Sequence, residues 1–240
     1  MIELLVSPVM VIAENMLLGH FLEAVKVRRQ VTGVPYTVAA RSVFRTTGWL
    51  GGYWPYGVIQ GVTKGLPILY TRRTMLRAMG YDPYSTARPP MGSSALAGAC
   101  AGAAQALVVT PTQRMKTRIW SAAGGAGKRA ARSVRPFRGL TSMLCRRSVD
   151  WGVRSASVDA AKNPAVGAVV GTLVGMAFTM PFDNAVAWTQ SDKPGLPPLR
   201  ALYRGWCVRV LDASHHTFWV LVVGSWVLRQ LVVCDGIPDL

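Results

Sequence analysis

Long apolar segments alternate with short polar and basic segments along the whole chain, and this alternation predicts six helices. The predicted helices are Leu4–Val27, Gly57–Met79, Ser93–Ile119, Thr141–Lys162, Pro164–Trp188 and Val208–Val233. Since an α-helix rises about 1.5 Å per residue, each of them can cross a hydrocarbon core about 30 Å thick. The pattern therefore predicts an all-α membrane protein.

Three segments between the predicted helices have patterns of their own. Thr37–Thr47 and Pro198–Tyr203 are short and amphipathic, which is typical of helices that rest on a membrane surface. Ala122–Arg135 is rich in Gly, Ala and basic residues, and this composition predicts a mobile loop.

One sequence motif recurs at the end of every second predicted helix. Its three copies occupy residues 21–30, 111–120 and 181–190. An aromatic-Arg-Gly triplet follows the second and third copies, as Phe137-Arg138-Gly139 and Tyr203-Arg204-Gly205. Because such self-similarity indicates an architecture of equivalent units, we interpret residues 1–240 as one domain with repeats at about 1–88, 89–162 and 163–240.

The chain is strongly basic, with 27 Lys and Arg against 11 Asp and Glu and a net charge of +16. Basic domains often bind nucleic-acid phosphates. Here, however, half of the residues are hydrophobic, and apolar stretches such as Ser94–Thr110 and Ala165–Phe182 are too long for a soluble basic domain. We therefore expect no nucleic-acid partner. Seventeen of the 27 basic residues fall in the segments 26–45, 114–138 and 193–209, at and after the three motif copies, which places those segments on the inner side of a membrane.

The triple motif resembles that of the mitochondrial carrier family, whose copies read Pro-x-acid-x-x-base-x-base and end in a glutamine or an aromatic residue. This resemblance covers essentially the whole chain. It implies the mitochondrial carrier fold, with six transmembrane helices in three two-helix repeats related by pseudo-threefold symmetry. It also implies a multi-pass protein of the mitochondrial inner membrane, with both termini facing the intermembrane space.

In that family, ion pairs between neighbouring motif copies close a gate on the matrix side. Carried over to this chain, the resemblance implies the gate pairs Glu23 with Lys116 and Asp183 with Lys26. The third place holds Gln113 and Val186 and has no charge. The residues at the family's brace position, which supports the gate from below, are Gln30, Trp120 and Gln190.

A second family motif, on the even-numbered helices, closes the intermembrane side. Only Asp159 and Lys162 survive from it here. Neither Tyr70–Gly80 nor Val220–Arg229 contains an acid, so we expect at most one interhelix ion pair, from Asp159, on this side. Alternating access needs two gates of comparable strength, and balanced gating is therefore expected to be lost.

Charged residues also occur at the family's mid-membrane substrate positions. The resemblance places Arg146, Arg147 and Asp212 there as candidate substrate contacts. Intramembrane charges are costly and usually functional. An alternative is that Arg147 pairs with Asp212, or Arg146 with Asp150, and that such a pair neutralises a disused cavity.

Two further expectations concern ligands. Helix starts near Arg138-Gly139 and Arg204-Gly205 combine a free helix N-terminus with an arginine, a combination that binds phosphate groups, and cardiolipin is the family's usual lipid. We expect no metal and no other cofactor, because the four cysteines form no CxxC and His215 and His216 are adjacent. No nucleophile and base occur at a recognisable spacing, so we expect no enzyme.

Two hypotheses for the function follow. The first is a non-transporting structural accessory subunit of a large inner-membrane complex, a respiratory-chain complex or ATP synthase, with other subunits as partners. We favour it because the residues that are missing relative to the family belong to the two gates, which move during transport. Glycines at helix-packing spacing persist, such as Gly98 with Gly102 and Gly167 with Gly171 and Gly175. The alternative is a divergent solute carrier that exchanges a small anionic metabolite.

Overall fold

Every regular element that the structure describes is a helix. The structure, a computed structural model, describes residue 9 and residues 12–82, 88–121 and 135–219, with only the backbone of residues 217 and 218. The α-helices in these ranges are α1 His20–Thr32, α2 Tyr36–Thr46, α3 Val58–Thr63, α4 Gly65–Ala78, α5 Met91–Ser121, α6 Leu140–Ala160, α7 Pro164–Gln190 and α8 Trp206–Phe218. Shorter turns are π-helical at Asn15–Gly19 and Tyr53–Gly57 and 3-10 helical at Leu199–Ala201.

Four of the six predicted helices are described along most of their length. The predicted second helix is divided into α3 and α4, and Lys64 joins them with helical dihedral angles. The third, fourth and fifth correspond to α5, α6 and α7 with ends shifted by one or two residues. The predicted surface helix after the first motif copy is present as α2, whereas the segment at 198–203 forms only a 3-10 turn.

The remaining predictions fall partly on residues that the structure does not describe. The first predicted helix begins at Leu4, and its described part runs from residue 12 through a π-helical turn into α1, which ends five residues later than predicted. Gly33, with φ 78°, ends α1 in the left-handed region that favours glycine. The sixth predicted helix is described only as far as residue 219, and residues 122–134 of the predicted loop lie outside the described ranges.

Among the described helices, α5 and α7 are long and apolar enough to cross a membrane. Both contain a proline, Pro111 and Pro181, at the start of their motif copies. The helices nevertheless continue past these prolines to the end of the motif. The polar motif residues are therefore held on helical backbone and not on a loop.

Glycines allow α5, α6 and α7 to approach each other closely. A Cβ atom on Gly102 would lie 2.1 Å from the carbonyl oxygen of Arg147, and one on Gly98 would lie 2.4 Å from that of Trp151. Between α6 and α7, a Cβ on Gly167 would lie 2.4 Å from the carbonyl oxygen of Ser157. These contacts confirm the close packing predicted from glycine spacing, and they fix the position of α6 against both neighbours.

The main apolar core lies beside the ends of the motif copies. It joins α1 and α2 to the ends of α5 and α7 and to the start of α8, with Val27, Val43, Trp120, Ala187 and Val208 among its buried members. Its neighbours toward the middle of the bundle are polar. The apolar packing therefore surrounds the end of the bundle that carries the motif copies, which we call the inner end. A charged interior lies next to it.

We expect Gly102→Ala to lower the thermal unfolding midpoint of the detergent-solubilised protein. The added methyl group would overlap the α6 backbone, and overpacking of this kind costs about 1–3 kcal/mol. Gly92→Ala is the matched control, because Gly92 lies on the same helix and a Cβ there meets no atom within 4 Å. Equal midpoints for the two variants would contradict the proposed close contact.

A motif network at the inner end and a charged central cavity

Two ion pairs join the motif ends of α1, α5 and α7. Lys116 Nζ lies 2.8 Å from Glu23 Oε2 and links α5 to α1. Lys26 Nζ lies 3.2 Å from Asp183 Oδ2 and links α1 to α7. Both lysine side chains are buried, with 2% and 3% of their surface exposed. The structure thus brings together the four residues that the resemblance implied for a gate.

Asp183 contacts Arg146, which lies outside the motif copies, in addition to Lys26. Its Oδ1 atom lies 2.8 Å from Nε of Arg146 on α6, and its Oδ2 accepts a hydrogen bond of 3.3 Å from Gln30 Nε2. The predicted third place, Gln113 and Val186, has no ion pair. Arg146 therefore supplies from α6 a charged contact that the third motif copy lacks.

Gln60 lies on α3, which belongs to the predicted second helix, and it also contacts this region. Its Nε2 donates to Gln113 Oε1 at 2.8 Å, and its Oε1 accepts from Lys116 Nζ at 2.7 Å. Gln113 Nε2 in turn donates to Glu23 Oε1 at 3.0 Å. Sequence reasoning missed Gln60, although a glutamine within the apolar run 58–62 at the start of the predicted second helix was an available signal. We call the following seven residues the motif network: Glu23, Lys26, Gln60, Gln113, Lys116, Arg146 and Asp183.

The three brace residues lie buried around this network. Gln30 donates to Asp183, as described above. Trp120 donates from Nε1 to the carbonyl oxygen of Gly51 at 2.8 Å, and Lys116 Nζ lies 4.8 Å from the centre of its indole ring. Gln190 Oε1 accepts from Thr117 Oγ1 at 3.1 Å. Two of the braces therefore touch the motif network directly, and Gln190 ties α7 to α5.

The opposite end of the bundle has a sparser set of polar contacts. Arg72 Nη2 on α4 lies 2.6 Å from Asp159 Oδ2 on α6, and Ser94 Oγ also donates to this carboxylate. The two side chains of the ion pair are 31% and 15% exposed. This is the interhelix pair from Asp159 that was expected, and its partner is Arg72. The acid-free segment 220–229 lies outside the described residues.

A cavity of about 90 Å³ lies between the two ends of the bundle. Its wall is dominated by charged side chains from the first helix, α6, α8 and the junction of α3 and α4. The titratable residues that line it are Glu14, Glu23, Lys64, Arg146, Arg147, Asp150, Arg154, Arg209, Asp212 and His216.

Most of these charges pair with each other, but not as the sequence suggested. Asp150 pairs with Arg154 at 3.0 Å, one turn along the same helix. Asp212 pairs with Arg209 at 3.6 Å, again within one helix. Both predicted alternatives, Arg147 with Asp212 and Arg146 with Asp150, are therefore wrong, because a nearer arginine on the same helix takes each carboxylate and Arg146 turns to Asp183.

Two cations at the cavity have no such partner. Arg147 makes no ion pair or hydrogen bond with the described residues, and its Nε is buried without an acceptor. The ammonium group of Lys64 likewise has no ion pair within the described ranges, although it lines the same cavity. Of the three candidate substrate contacts, Arg146 and Asp212 are thus engaged within the protein and Arg147 alone faces the cavity unpaired.

The sequence comparison agrees with this geometry. Residues 87–165, about a third of the chain, match the family model described as mitochondrial carrier protein. This match shows that residues 87–165 are similar to mitochondrial carrier proteins. The matched segment contains α5, α6 and the second motif copy, and members of this family are generally transporters and not enzymes. No curated protein sequence matched the chain in the search.

Similarity to this family suggests the mitochondrial inner membrane as the location. The residues expected to bind lipid phosphate lie at two helix starts. Gly139 and Gly205, with φ 83° and 87°, precede α6 and α8, and neither helix has a side-chain cap on its first N–H groups. Arg138 Nη1 lies 2.7 Å from Asp192 Oδ1 and keeps 36% of its side-chain surface exposed.

Arg204 lies at the other predicted lipid site, next to the end of α1. A Cβ atom on Gly33 would come within 2.9 Å of its guanidinium, so the arginine packs against this glycine. Nearby, the ammonium group of Lys193 donates to the carbonyl oxygen of Val31. Burial, and then repulsion by Arg204, lower the pKa of Lys193 below its usual value. Among the described residues, no group of three or more His, Cys, Asp or Glu is placed to hold a metal ion.

We expect Lys116→Ala to destabilise the protein strongly. The substitution leaves the Glu23 carboxylate without its cation and Gln60 Oε1 without its donor, and removing one partner of a buried pair costs about 3–5 kcal/mol. The thermal unfolding midpoint in detergent measures the effect. Arg41→Ala on the exposed face of α2 is the control and should change the midpoint little. A loss for Lys116→Ala no larger than that of the control would show that the pair contributes nothing.

Proposed function

We propose that this member of the carrier family no longer transports solute and acts as an accessory subunit of a large inner-membrane complex, such as a respiratory-chain complex or ATP synthase. The observation that carries the proposal is the ion pair between Arg146 and Asp183. This ion pair joins α6 to the end of α7. Gln60 likewise joins α3 to the motif end of α5.

Transport by alternating access requires the motif ends to separate. Here, separation removes Lys26, Arg146 and Gln30 from the buried Asp183 carboxylate. Breaking a buried pair costs several kcal/mol, whereas a partly exposed pair such as Arg72 with Asp159 contributes about 0–1 kcal/mol. An imbalance of about 3 kcal/mol leaves the second state below about 1% populated. The protein is therefore held in one conformation, closed at the motif network.

The size of the cavity also argues against metabolite transport. Its volume of about 90 Å³ is well below the roughly 300–1,000 Å³ of ordinary small-molecule sites. Because a water molecule occupies about 10–15 Å³ on this kind of measure, the cavity has room for a few waters or one small ion. The paired charges on its wall then serve mainly to neutralise one another.

The proposed membrane arrangement has six spans in three two-helix repeats around a pseudo-threefold axis, with both termini in the intermembrane space. Supporting it, α7 carries an exposed face of large apolar side chains that suits lipid or a neighbouring subunit. These are Val166, Val169, Val170, Leu173, Val174 and Phe178. The basic segments after the motif copies then lie in the matrix.

One observation favours a second function, the exchange of a small anion. Arg147 and Lys64 line the cavity without partners, and two cations of this kind can hold a single anion between them. In this alternative, the motif network would open despite the extra bond from Arg146. The anion would have to be small enough for the cavity.

Reconstitution separates the two functions. We expect wild-type protein in liposomes to show no saturable exchange of phosphate or small carboxylates, and we expect native membranes solubilised in mild detergent to carry it almost wholly in a large complex on a native gel. Saturable exchange that Arg147→Ala abolishes, and that the exposed control Arg200→Ala retains, would refute the structural function and establish the alternative.

We also propose that cardiolipin binds at the starts of α6 and α8, near Arg138-Gly139 and Arg204-Gly205. Free N–H groups at a helix start and a neighbouring arginine both attract phosphate. Native mass spectrometry should detect bound cardiolipin, and the double variant Arg138→Ala with Arg204→Ala should lose most of it. Arg41→Ala with Arg45→Ala, on exposed α2, is the matched control. Equal retention by both double variants would exclude these sites.

A further inference from the structure

A carboxylate and two histidines meet at the end of the cavity that lies away from the motif network. Glu14 is 6% exposed and lies just before the π-helical turn Asn15–Gly19. Its Oε2 is 2.8 Å from His216 Nδ1, and its Oε1 is 3.9 Å from His215 Nδ1. Both histidines belong to α8. These contacts join the first helix to the last one, on the side where the acids of the family's second ring are missing.

The two adjacent histidines have different hydrogen-bonding roles. Trp219 Nε1 donates to His215 Nε2 at 3.0 Å. Since an indole N–H can only donate, His215 Nε2 must accept, and this ring is neutral with its proton on Nδ1. That Nδ1 is buried without a hydrogen-bond partner. A change of charge at this site is therefore assigned to His216, whose side chain is 36% exposed and can exchange protons with water.

We propose that Glu14 and His216 form a proton-dependent clasp that closes the outer half of the bundle between its first and last helices. With a proton on both ring nitrogens, His216 makes a charge-assisted bond to Glu14. Loss of that proton leaves at best a neutral hydrogen bond and frees the first helix from α8 at the cavity mouth. The clasp does not depend on whether the protein transports a solute.

The other charged groups around the clasp favour this role. Lys64 faces the cavity from the junction of α3 and α4, Arg209 and Asp212 from α8, and Arg147, Asp150 and Arg154 from α6. Asp150 and Asp212 already pair with arginines on their own helices, so they do not compete for His216. Lys64 also attracts the Glu14 carboxylate electrostatically. An imidazole is the side chain that can act as a switch between charged and neutral forms, so the clasp depends on His216.

The neighbouring backbone can respond to the clasp. A π-helical turn is rare within an α-helix and often marks a functional site. Here it follows Glu14 directly and precedes α1. Release of Glu14 can therefore loosen residues 12–19 without disturbing the motif network, which begins at Glu23.

The test compares full-length protein in detergent at about pH 6 and about pH 8, on either side of the histidine range. We expect the wild-type unfolding midpoint to be higher at the lower pH by about 2–4 °C. His216→Gln should abolish this difference, and Glu14→Gln should do the same from the other side of the pair. His215→Gln is the matched control and should keep the difference. The third histidine, His20, bonds to the Gly51 carbonyl and is common to all variants.

Hydrogen–deuterium exchange gives the second readout. After correction for the intrinsic effect of pH, residues 12–19 should exchange several-fold faster at about pH 8 than at about pH 6 in wild type, and equally at both in His216→Gln. If one variant does not fold, the other tests the same bond. The proposal is overturned if the pH dependence persists in the folded variants at His216 or Glu14, or if His215→Gln removes it.

Discussion

The buried carboxylate of Asp183 is the group on which the inner end of the molecule depends. It lies near the end of α7, is 3% exposed, and receives Lys26 and Gln30 from α1 and Arg146 from α6. A buried charge is tolerated only when its partners are in place. The register of three helices is therefore set by one side chain, and the floor of the cavity is formed by the same contacts.

The two ends of the bundle are unequal as a consequence. The motif network is buried and connects α1, α5 and α7 with α3 and α6, whereas the polar contact from Asp159 at the other end is partly exposed. Such inequality suits a protein that keeps one shape. The charged cavity between the ends is small, and among the described residues that line it all but two of the cations are paired within the protein. These features are the basis for proposing that the protein does not transport a solute.

The likeness to the family is strongest where the packing is tightest. The matched residues 87–165 contain the helices α5 and α6, whose glycines bring the backbones together. The first repeat departs from the motif most clearly. Phe21 stands in place of the motif proline and stacks on Trp49 with ring centres 4.7 Å apart. A π-helical turn also precedes it. The closely packed helices α5 and α6 are joined to the divergent first helix through the motif network.

The sequence by itself determined the helical class and the approximate bounds of α5, α6 and α7, whereas the meeting of Glu23 with Lys116 and of Lys26 with Asp183 was implied by the resemblance of its motif to that of the family. It could do so because apolar periodicity and motif spacing are local properties that repeat three times. It did not reveal that Arg146 would choose Asp183 over Asp150, that Gln60 would join the network, or that both His215 and His216 would face Glu14. Those choices depend on how closely helices distant in sequence approach, which the glycine contacts set, and on which of several carboxylates a long side chain can then reach.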